Sequence, residues 1–218
     1  MSSMKPLNPF KILGKRLVRP LIYRFPPIFL SPNSLYTWLD ILVKTKSLEG
    51  DVVEIGCYLG GTAAMSSRML KHIKSTHDYF VIDTFDGFVE EQFDSEVKLG
   101  GARFLQREFS GNSPTLARWV MNKHGGKDVK MIKGDIAKLP DDQIPGKISA
   151  CLLDIDLAEP IYVALSRIYP KLVSGGIIAV DDCDDETFYK AKIGYERFMQ
   201  ENNFTSEIRY GMGIVRKL

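Results

Sequence analysis

Four aspartates follow two apolar runs in the second half of the sequence. Asp154 and Asp156 come after the run at 148–153, and Asp181 and Asp182 come after the next such run. If both runs are parallel strands, their carboxyl ends lie at one edge of a sheet, where these groups meet. Clustered carboxylates repel one another unless they are protonated or hold a cation, and hard oxygen ligands select Mg²⁺ or Ca²⁺. We therefore expect a metal site on Asp154, Asp181 and Asp182.

A second stretch, DVVEIGCYLGGTAAMSSRML at 51–70, has the layout of a nucleotide-binding turn. A short apolar run breaks at Gly56, glycine returns at Gly60 and Gly61, and a helical pattern follows. Glycines let the backbone approach a ligand, and a helix N-terminus offers free N–H groups. Tyr58 stands where the dinucleotide fingerprint needs its second glycine, which disfavours a dinucleotide oxidoreductase. A ligand without phosphate, such as S-adenosylmethionine, fits better, and an ordinary strand-to-helix turn is the alternative.

Two further acids follow the next predicted strands. Asp83 ends the run YFVID, at the interval after the glycine turn where such folds place a carboxylate on a ribose. Asp135 follows the run at 129–133, and its carboxylate can accept a hydrogen bond from the amino group of adenine. For each of them a simple turn residue is the alternative interpretation.

A divalent ion beside a methyl donor can bind a substrate hydroxyl, lower its pKa and aim its oxygen at the methyl carbon. Asp154 and Asp156 are the candidate catalytic residues on this hypothesis, and Glu159 is a second candidate for orienting the acceptor. Asp184 and Asp185 are assigned to capping the following helix. The three histidines, at 72, 77 and 124, lie away from the expected ligand edge and are assigned structural roles.

The elements that must position these residues can be read from hydrophobic periodicity. A helix is predicted from about Ser31 to Lys46, and the α/β core begins near Gly50. Five strand–helix units and a closing antiparallel hairpin follow, which predicts an α/β fold. The irregular stretch Phe88 to Asn112 is predicted to be a lid over the substrate side; a surface excursion with its own short helix is the alternative.

Composition sets the broad class. The hydrophobic content of 44% and charged content of 26% are typical of a globular chain and exclude a disordered one. No apolar run approaches the length of a membrane span, so a cytoplasmic protein, with membrane association as a second reading, is expected. The three cysteines, at 57, 151 and 183, lack metal-ligand spacing and indicate buried thiols in a reducing compartment.

The first part of the chain is basic and rich in proline. Residues 1–39 hold six Lys or Arg and no acid, and 1–32 hold six of the eleven prolines. A short basic amphipathic helix is predicted from Pro6 through Arg19. We expect an arm that packs on the domain or on a second subunit; a peripheral contact with an anionic membrane surface, or disorder, are the alternatives. The predicted division is an arm and helix at 1–45 and a cofactor-binding domain at 46–218.

Five segments together resemble the macrocin O-methyltransferase family, which uses a metal and S-adenosylmethionine to methylate sugar hydroxyls. They are VVEIGCYLGGTA, VIDTFDGF, KGDI, LLDIDLAEPIYVALSRIYPKLVSGGIIAVDDC and GMGIVRK. The resemblance implies a Rossmann-like, seven-stranded methyltransferase sheet whose last strand is antiparallel. It also implies a metal on Asp154, Asp181 and Asp182. The residues assigned to the cofactor are Glu54, Gly56, Cys57, Tyr58, Gly60, Thr62, Asp83, Thr84, Phe85, Asp135 and Ile136.

The resulting hypothesis is a metal-dependent O-methyltransferase, with Mg²⁺ or Ca²⁺, acting on a hydroxyl of a small molecule or glycan. The sugar of a glycolipid, polysaccharide or glycosylated natural product is the expected acceptor. A homo-oligomer is expected, and nucleic acid is not expected as a partner. Two alternatives stay open: a metal-independent methyltransferase acting on a phenol or carboxylate, and a catalytically silent protein that binds the same cofactor.

Overall fold

The structure, a computed structural model, describes residues 20–185 and 187–218. The helix predicted from Pro6 through Arg19 lies outside these residues. Within them, no helix is both long enough and apolar enough to cross a bilayer.

The first half of the described chain builds one side of a sheet. Helix α1 spans Pro32–Thr45, with Ser31 accepting a hydrogen bond from Ser34 N as its cap. The elements that follow are β1 (Asp51–Ile55), α2 (Gly61–His72), β2 (Tyr79–Asp83), α3 (Glu90–Lys98), a 3₁₀ turn (Arg103–Arg107), α4 (Pro114–Lys123) and β3 (Lys130–Lys133).

The second half completes the sheet. Its elements are a 3₁₀ turn (Asp141–Gln143), β4 (Ile148–Leu153), α5 (Ala158–Ile168), a 3₁₀ turn (Tyr169–Lys171), β5 (Leu172–Val180), α6 (Ala191–Glu201), β6 (Glu207–Arg209) and β7 (Met212–Arg216). Every residue of β4 is buried, as its unbroken apolar run predicts for a central strand.

The strand order of the seven-stranded sheet is β3-β2-β1-β4-β5-β7-β6. Strands β1 to β5 pair in parallel, and β7 pairs antiparallel with both β5 and β6. The order reverses between β1 and β4, so the crevice of this sheet opens at the carboxyl ends of those strands. The predicted fold, with its antiparallel closing strand, is confirmed.

Two regions show structure that the main sequence-based prediction did not specify. The segment predicted to be an irregular lid contains α3 and a 3₁₀ turn, and the Phe93 and Glu96 side chains of α3 are buried against the domain. Helix α6 begins at Ala191 with Lys190 as its N-cap residue. The prediction that Asp184 and Asp185 cap this helix is therefore wrong, and Asp185 instead pairs with Lys192 at 2.5 Å.

Candidate active site

A cleft of about 900 Å³, measured to its open mouth, lies at the carboxyl ends of the central strands. It brings together most of the residues that the sequence assigns to a cofactor or to catalysis. Those lining it are Gly56, Cys57, Tyr58, Thr62, Asp83, Thr84, Asp135, Ile136, Asp154 and Asp156. Three predicted cofactor residues, Glu54, Gly60 and Phe85, do not line it.

The glycine turn is fastened to β2 by Asp83. One carboxylate oxygen, Oδ2, accepts hydrogen bonds from the backbone N–H of Cys57 at 2.7 Å and of Tyr58 at 2.9 Å. The other oxygen, Oδ1, accepts from Phe85 N at 2.6 Å. Charge-assisted bonds of this kind are among the stronger ones in proteins. Asp83 therefore fixes the shape of the turn, a role that the sequence-based assignment to a ribose did not include.

Gly56, just after β1, packs against the backbone of Asp154, just after β4. Its φ is +83°, and a Cβ at this position would lie 1.9 Å from the carbonyl oxygen of Asp154. Only glycine fits there, because both the backbone conformation and the space exclude a side chain. The glycine thus lets the turn and the Asp154 loop form one continuous floor of the cleft.

Glu54 lies beneath this floor and is fully buried. Its Oε2 accepts a hydrogen bond from the Tyr79 hydroxyl at 2.5 Å, whereas its Oε1 is buried without a partner in the part of the chain that the structure describes. Burial raises the pKa of Glu54 to about 8, and the negative charge of Asp83 adds to the effect. The residue supports the turn from below and does not reach into the cleft.

The opposite end of the cleft is closed by α3. Gln92 Nε2 donates to Asp135 Oδ2 at 2.9 Å, and Asp135 Oδ1 accepts from Ala137 N at 2.9 Å. Asn112, at the end of the predicted lid, donates a hydrogen bond to the carbonyl of Tyr58. Both ends of the predicted lid are therefore attached to the strand ends that form the cleft.

The four aspartates lie near enough to one another for their charges to interact. Burial raises the pKa of Asp154, and the negative charges of Asp181 and Asp182 add to the effect. Burial also raises the pKa of Asp156, followed by repulsion from Asp154 and Asp182 and by a hydrogen bond between the carboxyls of Asp156 and Asp182. The pKa of Asp181 is raised to about 7, first by burial and then by Asp182.

Two of these acids occupy strained backbone positions. The φ angles of Asp156 and Asp182 are +63° and +57°, in the left-handed region that residues with a side chain rarely adopt. Strain of this kind is found mostly at functional sites. Thr187 Oγ1 donates to Asp182 Oδ1 at 3.2 Å and helps to hold that side chain.

Within residues 20–185 and 187–218, no Lys or Arg side chain balances the negative charge of these four acids. None of the four carboxylates forms an ion pair with Lys or Arg there. Glu159, the second candidate for orienting an acceptor, pairs with Arg197 at 3.1 Å on the surface and does not line the cleft. As the side chains stand, no three His, Cys, Asp or Glu of the described residues form a group that could hold a metal ion.

Glu96 connects the two loops that carry the acids, and the sequence analysis did not identify it. Its buried carboxylate accepts from Ala158 N at 3.0 Å and from Lys190 N at 2.7 Å, at the first turns of α5 and α6. These two helices follow the Asp154–Asp156 and Asp181–Asp182 loops. The available signal was an acid three residues after Phe93, a spacing that would place both side chains on one face of a helix.

The other assignments from the sequence concern supporting residues. The three cysteines are free and buried. His77 Nε2 lies 2.8 Å from the carbonyl oxygen of Leu48, and His124 Nε2 lies 3.0 Å from that of Tyr23. Both rings hold backbone segments together outside the cleft, which agrees with structural roles.

A family model described as macrocin-O-methyltransferase (TylF) matches residues 39–210, which is most of the chain. The chain belongs to the macrocin O-methyltransferase family. A curated relative from Streptomyces olivaceus is 26% identical over 144 residues. It is an 8-demethyl-8-(2,3-dimethoxy-alpha-L-rhamnosyl)-tetracenomycin-C 4'-O-methyltransferase. The match covers 64% of this chain and 55% of the relative, so the chain spans about half the length of that protein.

Solved structures with the same fold include two methyltransferases. The O-methyltransferase NovP is 19% identical, with a TM-score of 0.69, covering 84% of this chain and 77% of NovP. The calicheamicin methyltransferase CalS11 is also 19% identical with a TM-score of 0.69, covering 99% and 94%. The family and the fold expected from the sequence are both confirmed.

Proposed function

We propose that the protein transfers a methyl group from S-adenosylmethionine to a sugar hydroxyl, with a divalent cation held by Asp154, Asp181 and Asp182. One observation carries the proposal. Carboxylates that form no ion pair with Lys or Arg, within residues 20–185 and 187–218, cluster beside the cleft: Asp154 and Asp156 line it, and the partly buried Asp181 and Asp182 lie close enough to raise the pKa of Asp154. Buried charges without a partner are costly, and a hard cation relieves the repulsion among them.

The donor is assigned to the deep part of the cleft. Its methionine end lies against the turn from Gly56 to Thr62, and its adenine lies near Asp135 and Ile136. Asp83 already accepts three backbone hydrogen bonds. Since a carboxylate has about four lone-pair sites, we expect it to accept from one ribose hydroxyl rather than from two.

The acceptor is assigned to the side of the cleft near Asp154. Mg²⁺ bound there would lower the pKa of an acceptor hydroxyl by acting as a Lewis acid. Asp156, which lines the cleft, orients the hydroxyl by accepting a hydrogen bond from it. In the transfer, the hydroxyl oxygen forms a bond to the methyl carbon, the carbon–sulfur bond breaks, and S-adenosylhomocysteine leaves with the sulfur electron pair. The hydroxyl proton passes to solvent.

The sugar assignment comes from the family and from the Streptomyces olivaceus relative, whose name describes methylation of a rhamnosyl group. A glycosylated natural product is therefore the proposed acceptor. The catalytic unit is residues 46–218, with 88–112 closing over the acceptor side. We expect the residues before 46 to act as an arm on this unit.

Methyl transfer to an aryl α-L-rhamnoside, measured with and without EDTA, tests the proposal. Activity should disappear in chelator and return with excess Mg²⁺ or Ca²⁺. The variant Asp182→Asn should lose metal-dependent activity, whereas the control Asp185→Asn, an exposed acid that pairs with Lys192, should keep it. Full activity in EDTA would favour a metal-independent methyltransferase. Cofactor binding without turnover on any acceptor would favour a catalytically silent protein.

A further inference from the structure

The segment at 20–30, here called the arm segment, is attached to the domain at several points. Lys123 Nζ donates to the carbonyl of Pro20 at 2.7 Å, and the Tyr23 ring contacts the Trp119 ring edge-on at 6.0 Å between centroids. Leu30, at the other end, is buried in the same core cluster as Trp38. The arm segment is thus a fixed part of the molecule on both sides of residues 26–29.

Between these anchors the arm segment crosses the N-terminus of α2. A Cβ added to Gly61 would lie 1.9 Å from the carbonyl oxygen of Pro27. Gly61 begins α2 and has an ordinary helical conformation, so the helix itself does not require glycine there. The glycine is needed because the arm segment lies directly against it. This contact places Pro27 and Phe29 in the wall of the cleft.

Phe29 joins a row of aromatic rings along the mouth of the cleft. Its centroid is 5.0 Å from that of Tyr58, and Tyr58 is 5.2 Å from Phe109 in turn. Phe109 is 5.3 Å from Phe88. All four rings line the cleft and meet at steep angles, the arrangement that aromatic pairs prefer. Phe29 remains 62% exposed, so it lies at the mouth and not at the depth assigned to the donor.

We propose that this aromatic row, completed by Phe29 of the arm segment, binds the apolar aglycone of the acceptor and so selects aryl glycosides over the corresponding simple sugars. The inference rests on the proposed function, because it names the acceptor that the same site takes. A flat apolar group entering the mouth would stack on rings already held in place by the arm segment and by the loop at 88–112. The sugar would then point inward, toward Asp154 and Asp156.

The probes are 4-nitrophenyl α-L-rhamnoside and methyl α-L-rhamnoside, which share the sugar and differ in the aglycone. Their binding to the full-length protein is measured by calorimetry in the presence of S-adenosylhomocysteine and Mg²⁺, and methyl transfer is measured separately. Wild type should bind the aryl glycoside about 3- to 10-fold more tightly than the methyl glycoside, the range expected for one aromatic contact. Phe29→Ala should lose most of this preference while keeping its affinity for S-adenosylhomocysteine.

Phe25→Ala is the matched control, because Phe25 is a phenylalanine of the same segment, 74% exposed, that does not line the cleft. It should retain the wild-type preference. Equal binding of the two probes by wild type, binding of neither probe, or equal effects of Phe29→Ala and Phe25→Ala would overturn the inference. If wild type prefers the aryl probe, Phe29→Ala loses that preference and neither probe is methylated, the aglycone site stands and the proposed sugar methylation fails.

Discussion

Replacing Glu96 by alanine should destabilise the protein, because it removes hydrogen bonds at the N-termini of two helices, α5 and α6. The carboxylate is buried and accepts from Ala158 N at 3.0 Å and from Lys190 N at 2.7 Å. Its removal leaves both backbone donors without their partner, at about 1–3 kcal/mol each. Burial raises the pKa of Glu96 in spite of these bonds, so removing the charge also relieves a desolvation cost. We therefore expect a net loss of about 2–3 kcal/mol from the free energy of unfolding.

For a chain of this size, such a loss corresponds to a fall in Tm of roughly 4–12 °C. Urea and thermal unfolding followed by circular dichroism measure it. Glu96→Gln should show at least half of the effect, because the two donors bind different carboxylate oxygens and the amide nitrogen that replaces one of them cannot accept. Glu91→Ala is the control, since Glu91 lies on the exposed face of the same helix. Ordinary surface substitutions change the free energy of unfolding by about 0.5 kcal/mol or less. If the free energies of unfolding of Glu96→Ala and Glu91→Ala differ by no more than this, the predicted role of Glu96 is refuted.

Three other predictions concern the floor and the wall of the cleft. The folded-state pKa of Glu54 is about 8, against an ordinary value of 4.5, so the folded protein keeps a proton that the unfolded chain releases between these values. The free energy of unfolding should therefore fall by on the order of a few kcal/mol as pH rises from 4.5 to 8. Urea titrations at several pH values should show a weaker pH dependence for Glu54→Gln than for wild type. Equal pH dependence of the two proteins would contradict this prediction. Asp83→Asn should weaken the binding of S-adenosylhomocysteine roughly tenfold, as measured by calorimetry, because the amide leaves at least one backbone N–H of the glycine turn without an acceptor. Unchanged affinity would show that the turn keeps its shape without the Asp83 carboxylate. Gly61→Ala should displace the carbonyl of Pro27, and trypsin should then cleave after Arg24 faster than in wild type, with little change in Tm. An unchanged cleavage rate would contradict the close packing of the arm segment on α2.

The sheet and the position of the cleft were predictable from local sequence patterns. Apolar runs of strand length alternate with helical periodicity, and Asp83, Asp154 and Asp181 each stand at the end of a strand or just after it. Parallel strands bring those ends to one edge, so Asp154 and Asp181 can be placed together from topology alone. The closing hairpin was also recognisable, and in the structure Tyr210 and Gly211 form the turn between β6 and β7.

The finer placement of the site was not predictable, because it depends on contacts between distant parts of the chain. Glu96 binds backbone groups 62 and 94 residues away. Asp83 was assigned to a ligand, whereas most of its hydrogen-bonding capacity holds the glycine turn. The contact of Pro27 with Gly61 has no signal in either local sequence, since a glycine at the start of a helix has several ordinary explanations. Only the folded chain distinguishes these roles.

The most direct test of the account is a crystal structure of the protein with S-adenosylhomocysteine and Mg²⁺. The account predicts adenosine near Asp135, homocysteine against the turn at Gly56, and an ion about 2.0–2.1 Å from carboxylate oxygens of Asp154, Asp181 and Asp182. Nucleoside density away from this cleft, or an ion absent from those carboxylates at saturating Mg²⁺, would contradict it.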